Sequence, residues 1–151
     1  MQAITPFLWF DGRVREAAAL YTSVLPRSQI VDLPAGHGRA ASATVEVDGL
    51  RLQLFDGGPM FPPTPAFSLM VAVETQAELD RIWDALIADG GAPSRCGWLT
   101  DPFGVSWQIV PSILQALLGD PDADRAGRAT QAMLGMGRLD IAELLRAADG
   151  A

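Results

Sequence analysis

Lysine is absent from this chain, and all eleven basic residues are arginine. Without an ε-amine there is no Schiff-base chemistry, no pyridoxal phosphate attachment and no Walker phosphate loop. Cysteine occurs once, as Cys96, so no internal disulfide can form and nothing calls for an oxidising compartment. Arg95 is the one charged neighbour of that thiol in sequence, and Cys96 reads as an inert packed side chain rather than a nucleophile. The single histidine, His37, cannot build a multi-histidine metal site within one subunit, and its setting in "PAGHGRA" reads as a solvated loop. No apolar run approaches the roughly 20 residues that span a bilayer, and "MQAITPFLWF" lacks the basic start of a secretory signal. The expectation is a cytoplasmic protein with no membrane segment. A net charge of −7 with scattered arginines repels phosphate backbones, so nucleic acid is not an expected partner.

What remains is the composition of one folded domain: 151 residues, 49% hydrophobic and 19% charged. "ITPFLWF" is short, apolar and followed by Asp11-Gly12, the pattern of a buried strand. Val14, Ala17, Ala18, Tyr21 and Leu25 then recur at helical spacing until Pro26. "SQIVDLP" reads as a strand, and "SATVEVDGLRLQLFDGG" as two strands around a tight Asp48-Gly49 turn. Gly57-Gly58 reads as a backbone turn, and Asp11 and Asp56 as turn residues that cap backbone rather than catalyse. The proline-rich stretch 59–65 separates this half from a second. There "AFSLMVAVE" is a strand, Thr75 and Glu78 form a capping box, and Leu79, Ile82, Trp83 and Leu86 make one helical stripe. Asp89-Gly90-Gly91 ends the helix. A weak strand near Pro93–Cys96 and a hairpin, "CGWLTDPFGVSWQIVP", complete a second βαβββ unit. In its last strand Ser106 and Gln108 share one face, while Trp107 and Ile109 point toward the helix. Beyond Pro111 three helical segments follow, with Asp120-Pro121 and Asp140 as starts. The mixed charge of this tail predicts packing on its own domain or on a partner subunit rather than on a membrane.

These two βαβββ halves resemble the vicinal-oxygen-chelate superfamily of glyoxalases, bleomycin-resistance proteins and extradiol dioxygenases. More closely, "ITPFLWFDG", "EAAALYTSVLP", "LFDGGP", "FSLMVAVETQAELDRIWDALIADGG", "CGWLTDPFGVSWQIVP" and the tail are similar to the branch described as PhnB-like or 3-demethylubiquinone-9 3-methyltransferase-like. The fold implied is α+β: paired modules over 1–111 (1–58 and 66–111, linker 59–65), curved into a mixed sheet with a cleft, and a helical extension over 112–151. The resemblance also implies a homodimer. S-adenosylmethionine enzymes usually place a glycine-rich loop after the first strand of a doubly wound sheet, and "DGRVREAAALY" has none.

Aligned by motif, the superfamily's metal-ligand positions fall on Thr5, Gln53, Ser68 and Gln108, none of them imidazole or carboxylate. Two hydroxyls and two amides carry no charge to offset dehydration of a divalent ion, so no metal and no cofactor are expected. By strand parity Phe7, Trp9, Phe55, Met70 and Ser106 share the cleft face with these groups. The two glutamines could instead bond each other across a filled interior, and the aromatics could be plain core. Three functions compete: a metal-free binder of a small apolar or aromatic molecule, which the sequence favours; a metal-dependent lyase, isomerase or dioxygenase; and a structural or regulatory dimer with a closed cleft.

Overall fold

The computed structural model describes residues 3–151 and divides them at Thr64/Pro65 into two compact units. In the first unit the elements run β1 (Phe7–Phe10), α1 (Val14–Val24), β2 (Gln29–Asp32), β3 (Ser42–Val47) and β4 (Leu50–Asp56). The sheet order is β1-β4-β3-β2, with β1 parallel to β4 and the other pairs antiparallel. Alternation decides what is buried. Leu8, Phe10, Ala43, Val45, Val47, Leu52 and Leu54 lie under α1, whose Val14, Ala17, Ala18 and Tyr21 are buried in return. Asp48 and Gly49 both adopt positive φ, 48° and 82°, which matches the right-handed twist of the β3–β4 hairpin. β1 is shorter than the sequence suggests: it begins at Phe7, leaving Thr5 exposed ahead of the strand.

The second unit repeats the connectivity: β5 (Ser68–Val73), α2 (Gln76–Ile87), β6 (Ala92–Pro93), β7 (Trp98–Thr100) and β8 (Ser106–Pro111). Its order, β5-β8-β7-β6, is that of the first sheet with the same single parallel pair. Leu79, Ile82, Trp83 and Leu86 of α2 are buried, as are Leu99, Trp107 and Ile109 of the sheet beneath. The fold is thus α+β, with two four-stranded mixed sheets and their helices. Thr75 caps α2 by accepting the Glu78 N–H at 3.2 Å. The reciprocal half of the expected box is displaced by one residue, because the Glu78 carboxylate accepts from the N–H of Glu74.

Three helices follow, α3 (Leu114–Leu118), α4 (Ala123–Leu134) and α5 (Ile141–Asp149). Asp140 caps α5 as the sequence suggests, whereas α4 is capped by Asp122, two residues beyond Asp120. The tail packs on its own unit. Leu139 is fully buried, the Gln76 side chain donates to the Leu139 carbonyl at 3.1 Å and accepts from the Ile141 N–H at 2.9 Å. Arg138 reaches Asp80 and Asp84 with its guanidinium 5.8 Å from the Trp83 ring. The N–H groups of Cys96 and Gly97 donate to the carbonyls of Met136 and Gly137, each at 2.8 Å. Truncating Leu139 to alanine is therefore expected to cost about 2–5 kcal/mol. Hydrogen exchange should then rise at Cys96 and Gly97 as well as in the tail, and unchanged protection there would show that the tail does not hold this turn.

Candidate functional site

In the first unit the face of the sheet away from α1 carries a chain of rings. Phe7 and Phe55 lie tilted to each other at 5.4 Å between centroids, Trp9 meets Phe55 edge-on at 5.2 Å, and Phe61 meets Trp9 edge-on at 5.2 Å. The strand register makes this possible, since Trp9 lies opposite Phe55 and Phe7 opposite Gln53. Phe7 is 62% exposed and Phe61 58%, so these rings are not buried core. Trp9 is fixed at its polar end by donation from its indole N–H to the Gly58 carbonyl at 2.8 Å. Gly57 lies flat against the indole, with no space for a Cβ.

That turn is secured by Asp56. Its carboxylate accepts from Arg39 and from the N–H of Gly12 at 2.8 Å, and its side chain is 4% exposed. The hydrogen bonds from Arg39, helped by the N–H groups of Gly12 and Gly58, hold the Asp56 carboxyl at about 2, below the ordinary 3.8. A folded value below the unfolded one means a contribution that is complete above about pH 4 and is lost as pH falls toward 2. Acid unfolding of the parent should steepen in that window. Asp56→Asn should remove the steepening, and an acid limb identical in both proteins would contradict it. The sequence read Asp56 as capping its own turn, and the Gly58 N–H agrees with that; the carboxylate also ties in Gly12 and Arg39 from elsewhere in the chain.

Gln53 is half-buried on the same face and accepts from the Thr44 hydroxyl at 2.9 Å. In the second unit Gln108 occupies the equivalent place, opposite Met70, and donates to the Ser68 hydroxyl at 2.9 Å. Each glutamine thus has a partner inside its own module, which replaces the expectation that the two might pair with each other. Each also keeps one half of its amide free among the described residues: the NH₂ of Gln53 and the carbonyl oxygen of Gln108. Met70 is 57% exposed, and Ser106 is buried beside Gln108's face of β8. Thr5 precedes β1 and joins neither group.

This donor set does not fit a divalent cation. The Gln53 oxygen is engaged by Thr44, Thr5 stands apart from the strand, and none of the four positions offers charge. Among the described residues no group of three or more histidine, cysteine, aspartate or glutamate side chains comes together.

Sequence reasoning passed over Asp101, the residue that organises the last hairpin. It is 2% exposed. One oxygen accepts from the N–H groups of Phe103 and Val105 at 2.9 and 3.0 Å, and the other from the Trp107 indole at 2.9 Å. A buried tryptophan needs a partner for its N–H, and the acid six residues earlier in "DPFGVSW" was the available signal.

Two βαβββ units with one parallel pair each and open faces opposite their helices define a glyoxalase-like, vicinal-oxygen-chelate fold. A family model described as 3-demethylubiquinone-9 3-methyltransferase matches residues 2–110, and the chain belongs to that family. A solved PhnB protein from Bacillus cereus, titled a putative 3-demethylubiquinone-9 3-methyltransferase, is 34% identical with a TM-score of 0.67, over 74% of this chain and 100% of that one. A crystal structure of a Pseudomonas aeruginosa protein is 26% identical, TM-score 0.58, over 74% and 98% of the two chains. A glyoxalase/bleomycin resistance protein from Albidiferax ferrireducens, 15% identical with a TM-score of 0.51 over 73% and 98%, shares the fold. The search of curated proteins finds no match. The family's methyltransferase description has no counterpart in the β1–α1 connection, where Gly12 is followed by Arg13 and the first helical turn of α1, without a glycine-rich loop. Residues 112–151 lie beyond the matched region.

Proposed function

We propose that this protein binds a small, partly aromatic organic molecule without a metal ion, on the faces that its modules turn away from their helices. The observation that carries the reading is the ring chain Phe7–Phe55–Trp9–Phe61, solvent-facing yet held in place, beside an amide with a free NH₂. Aromatic faces offer a ligand apolar area at small entropic cost, and half-satisfied amides fix its orientation through uncharged hydrogen bonds. A metal-dependent reaction is the weaker reading because Thr5, Gln53, Ser68 and Gln108 suit such hydrogen bonds better than a cation.

The test is thermal melting against a panel of small aromatic compounds. Some are expected to raise the melting temperature by mass action, while chelator and added Ni²⁺, Zn²⁺ or Mn²⁺ leave it unchanged. Trp9→Ala should abolish the shift, and Arg128→Ala, on α4 of the second unit, should retain it. Stoichiometric metal whose removal lowers stability would overturn the reading.

Exposed Ile4, Met60 and Phe61 in the first unit and Phe67 and Met70 in the second favour a second proposal, that the protein is a homodimer in which some of these apolar side chains are covered. Light scattering at micromolar concentration is expected to give twice the chain mass, and a monomer would refute it.

A further inference from the structure

We infer that the second module holds a site for a small organic oxyanion, with Arg95 as its charge anchor. The inference rests on the small-molecule reading above and names the chemical class of molecule that the second module's own face takes. A recess of about 370 Å³, the size of a small-ligand pocket, lies within the second unit and is lined by Ser94, Arg95, Cys96, Trp98, Thr100 and Ser106 among others.

Three features make it a binding site rather than a surface irregularity. The first is Arg95. Among the described residues its guanidinium makes no hydrogen bond and no ion pair, and no aspartate or glutamate lines the recess. In a chain of net charge −7, where arginines 39, 125 and 138 all sit on carboxylates, an arginine left free beside hydroxyl donors is placed for an anion from outside. The second is Ser106. The residue is 3% exposed and lines the recess, and its hydroxyl makes no hydrogen bond to another described residue. Since no buried side-chain oxygen or nitrogen among the described residues lacks a partner, this hydroxyl is open to the recess and can donate to a molecule lying there.

The third is the convergence of donors. Thr100 lies opposite Ser106 and Trp98 opposite Gln108, so the Thr100 hydroxyl and the Trp98 indole share the Ser106 face of the sheet. Neither side chain has a hydrogen-bond partner among the described residues. A guanidinium fork, two hydroxyls and an indole N–H are all donors, a set that suits carboxylate or phosphate oxygens. The Trp98 ring offers the organic body an apolar wall. The wall carrying Arg95 and Cys96 is held in place from behind, because the Cys96 and Gly97 N–H groups bond the carbonyls of Met136 and Gly137.

Cys96 lines the same recess and is the chain's one thiol, so alkylation at a single position reads the local field. The rate with iodoacetate divided by the rate with iodoacetamide, relative to the same quotient for glutathione, should be raised about threefold to tenfold, as expected of one adjacent positive charge. The overall charge of the protein acts in the opposite direction. Arg95→Gln should return the quotient to that of glutathione or below, whereas Arg95→Lys should keep most of it. Benzoate or inorganic phosphate should slow iodoacetamide labelling of the parent but not of Arg95→Gln. Protection by benzoate alone assigns the site to carboxylates, and by phosphate alone to phosphoryl groups. A quotient no higher than that of glutathione and untouched by either Arg95 variant overturns the oxyanion site. If uncharged benzamide nevertheless raises the melting temperature in a Trp9-dependent manner, the small-molecule reading survives that loss; if no aromatic compound does, that reading falls separately.

Discussion

Replacing Trp107 by alanine is expected to lower stability by about 3–5 kcal/mol, as for other large buried aromatics. The urea midpoint should fall while the slope of the transition stays near that of the parent. Trp107 is 1% exposed and sits on the helix side of β8, so its removal opens a cavity that the sheet and α2 cannot collapse to fill. The polar half of the effect comes from Asp101, which loses the indole donor at 2.9 Å while remaining buried. Asp101→Asn should cost less, roughly 1–3 kcal/mol. An asparagine keeps the size but must turn its NH₂ toward either the Trp107 indole or the N–H groups of Phe103 and Val105. The two changes share one network, so the double variant should be less destabilised than the sum. A Trp107→Ala protein that melts within a degree or two of the parent would show that this side of β8 is not packed as described.

Much of this hairpin was legible because parity is a strong constraint. A strand with one face under a helix assigns Trp107 and Ile109 to that face and Ser106 and Gln108 to the other in a single step; the register keeps Ser106 and Gln108 together, with Gln108 half-buried and Ser106 buried. The same reasoning placed the α1 and α2 stripes and the Asp48-Gly49 hairpin. What parity cannot supply is the partner of a polar group, which depends on register between strands. The pairing of Gln53 with Thr44 and of Gln108 with Ser68 needed the ladders themselves.

Distance along the chain hid the rest. Arg95 had meaning in the sequence only as a neighbour of Cys96, because the Thr100 and Ser106 hydroxyls that share its recess come from β7 and β8. Cys96 read as a packed thiol, yet it is half-exposed in a left-handed turn with φ of 57°. That turn is fixed by carbonyls of Met136 and Gly137, about forty residues later. The tail's helices were visible from their spacing and acidic caps. Its docking was not, because Gln76 and Arg138 are ordinary surface residues until folding brings α2 and the α4–α5 segment together.

Gly57→Ala is expected to be the most disruptive of the small substitutions, and its effect should reach ligand binding as well as stability. Gly57 read as a turn residue, but its φ is ordinary and the requirement is spatial: a Cβ there would overlap the six-membered ring of Trp9. An indole is rigid and cannot yield by a terminal rotation, so Trp9 must swing out or the turn must move. Either response breaks the 2.8 Å bond from the indole to the Gly58 carbonyl and the edge-on contacts with Phe55 and Phe61. Overpacking of this kind costs typically 1–3 kcal/mol. The neighbouring Gly58→Ala provides the contrast, since its Cβ would meet nothing within 4 Å but its φ of 82° is strained for an L-residue. That change should cost about 1 kcal/mol with Trp9 still in place. Melting of the two variants with and without an aromatic ligand separates the effects: Gly58→Ala should keep the ligand-induced shift and Gly57→Ala should lose it. If Gly57→Ala retains both the parent's stability and its shift, Trp9 does not rest on this turn, and the ring chain is too loosely held to serve as a binding surface.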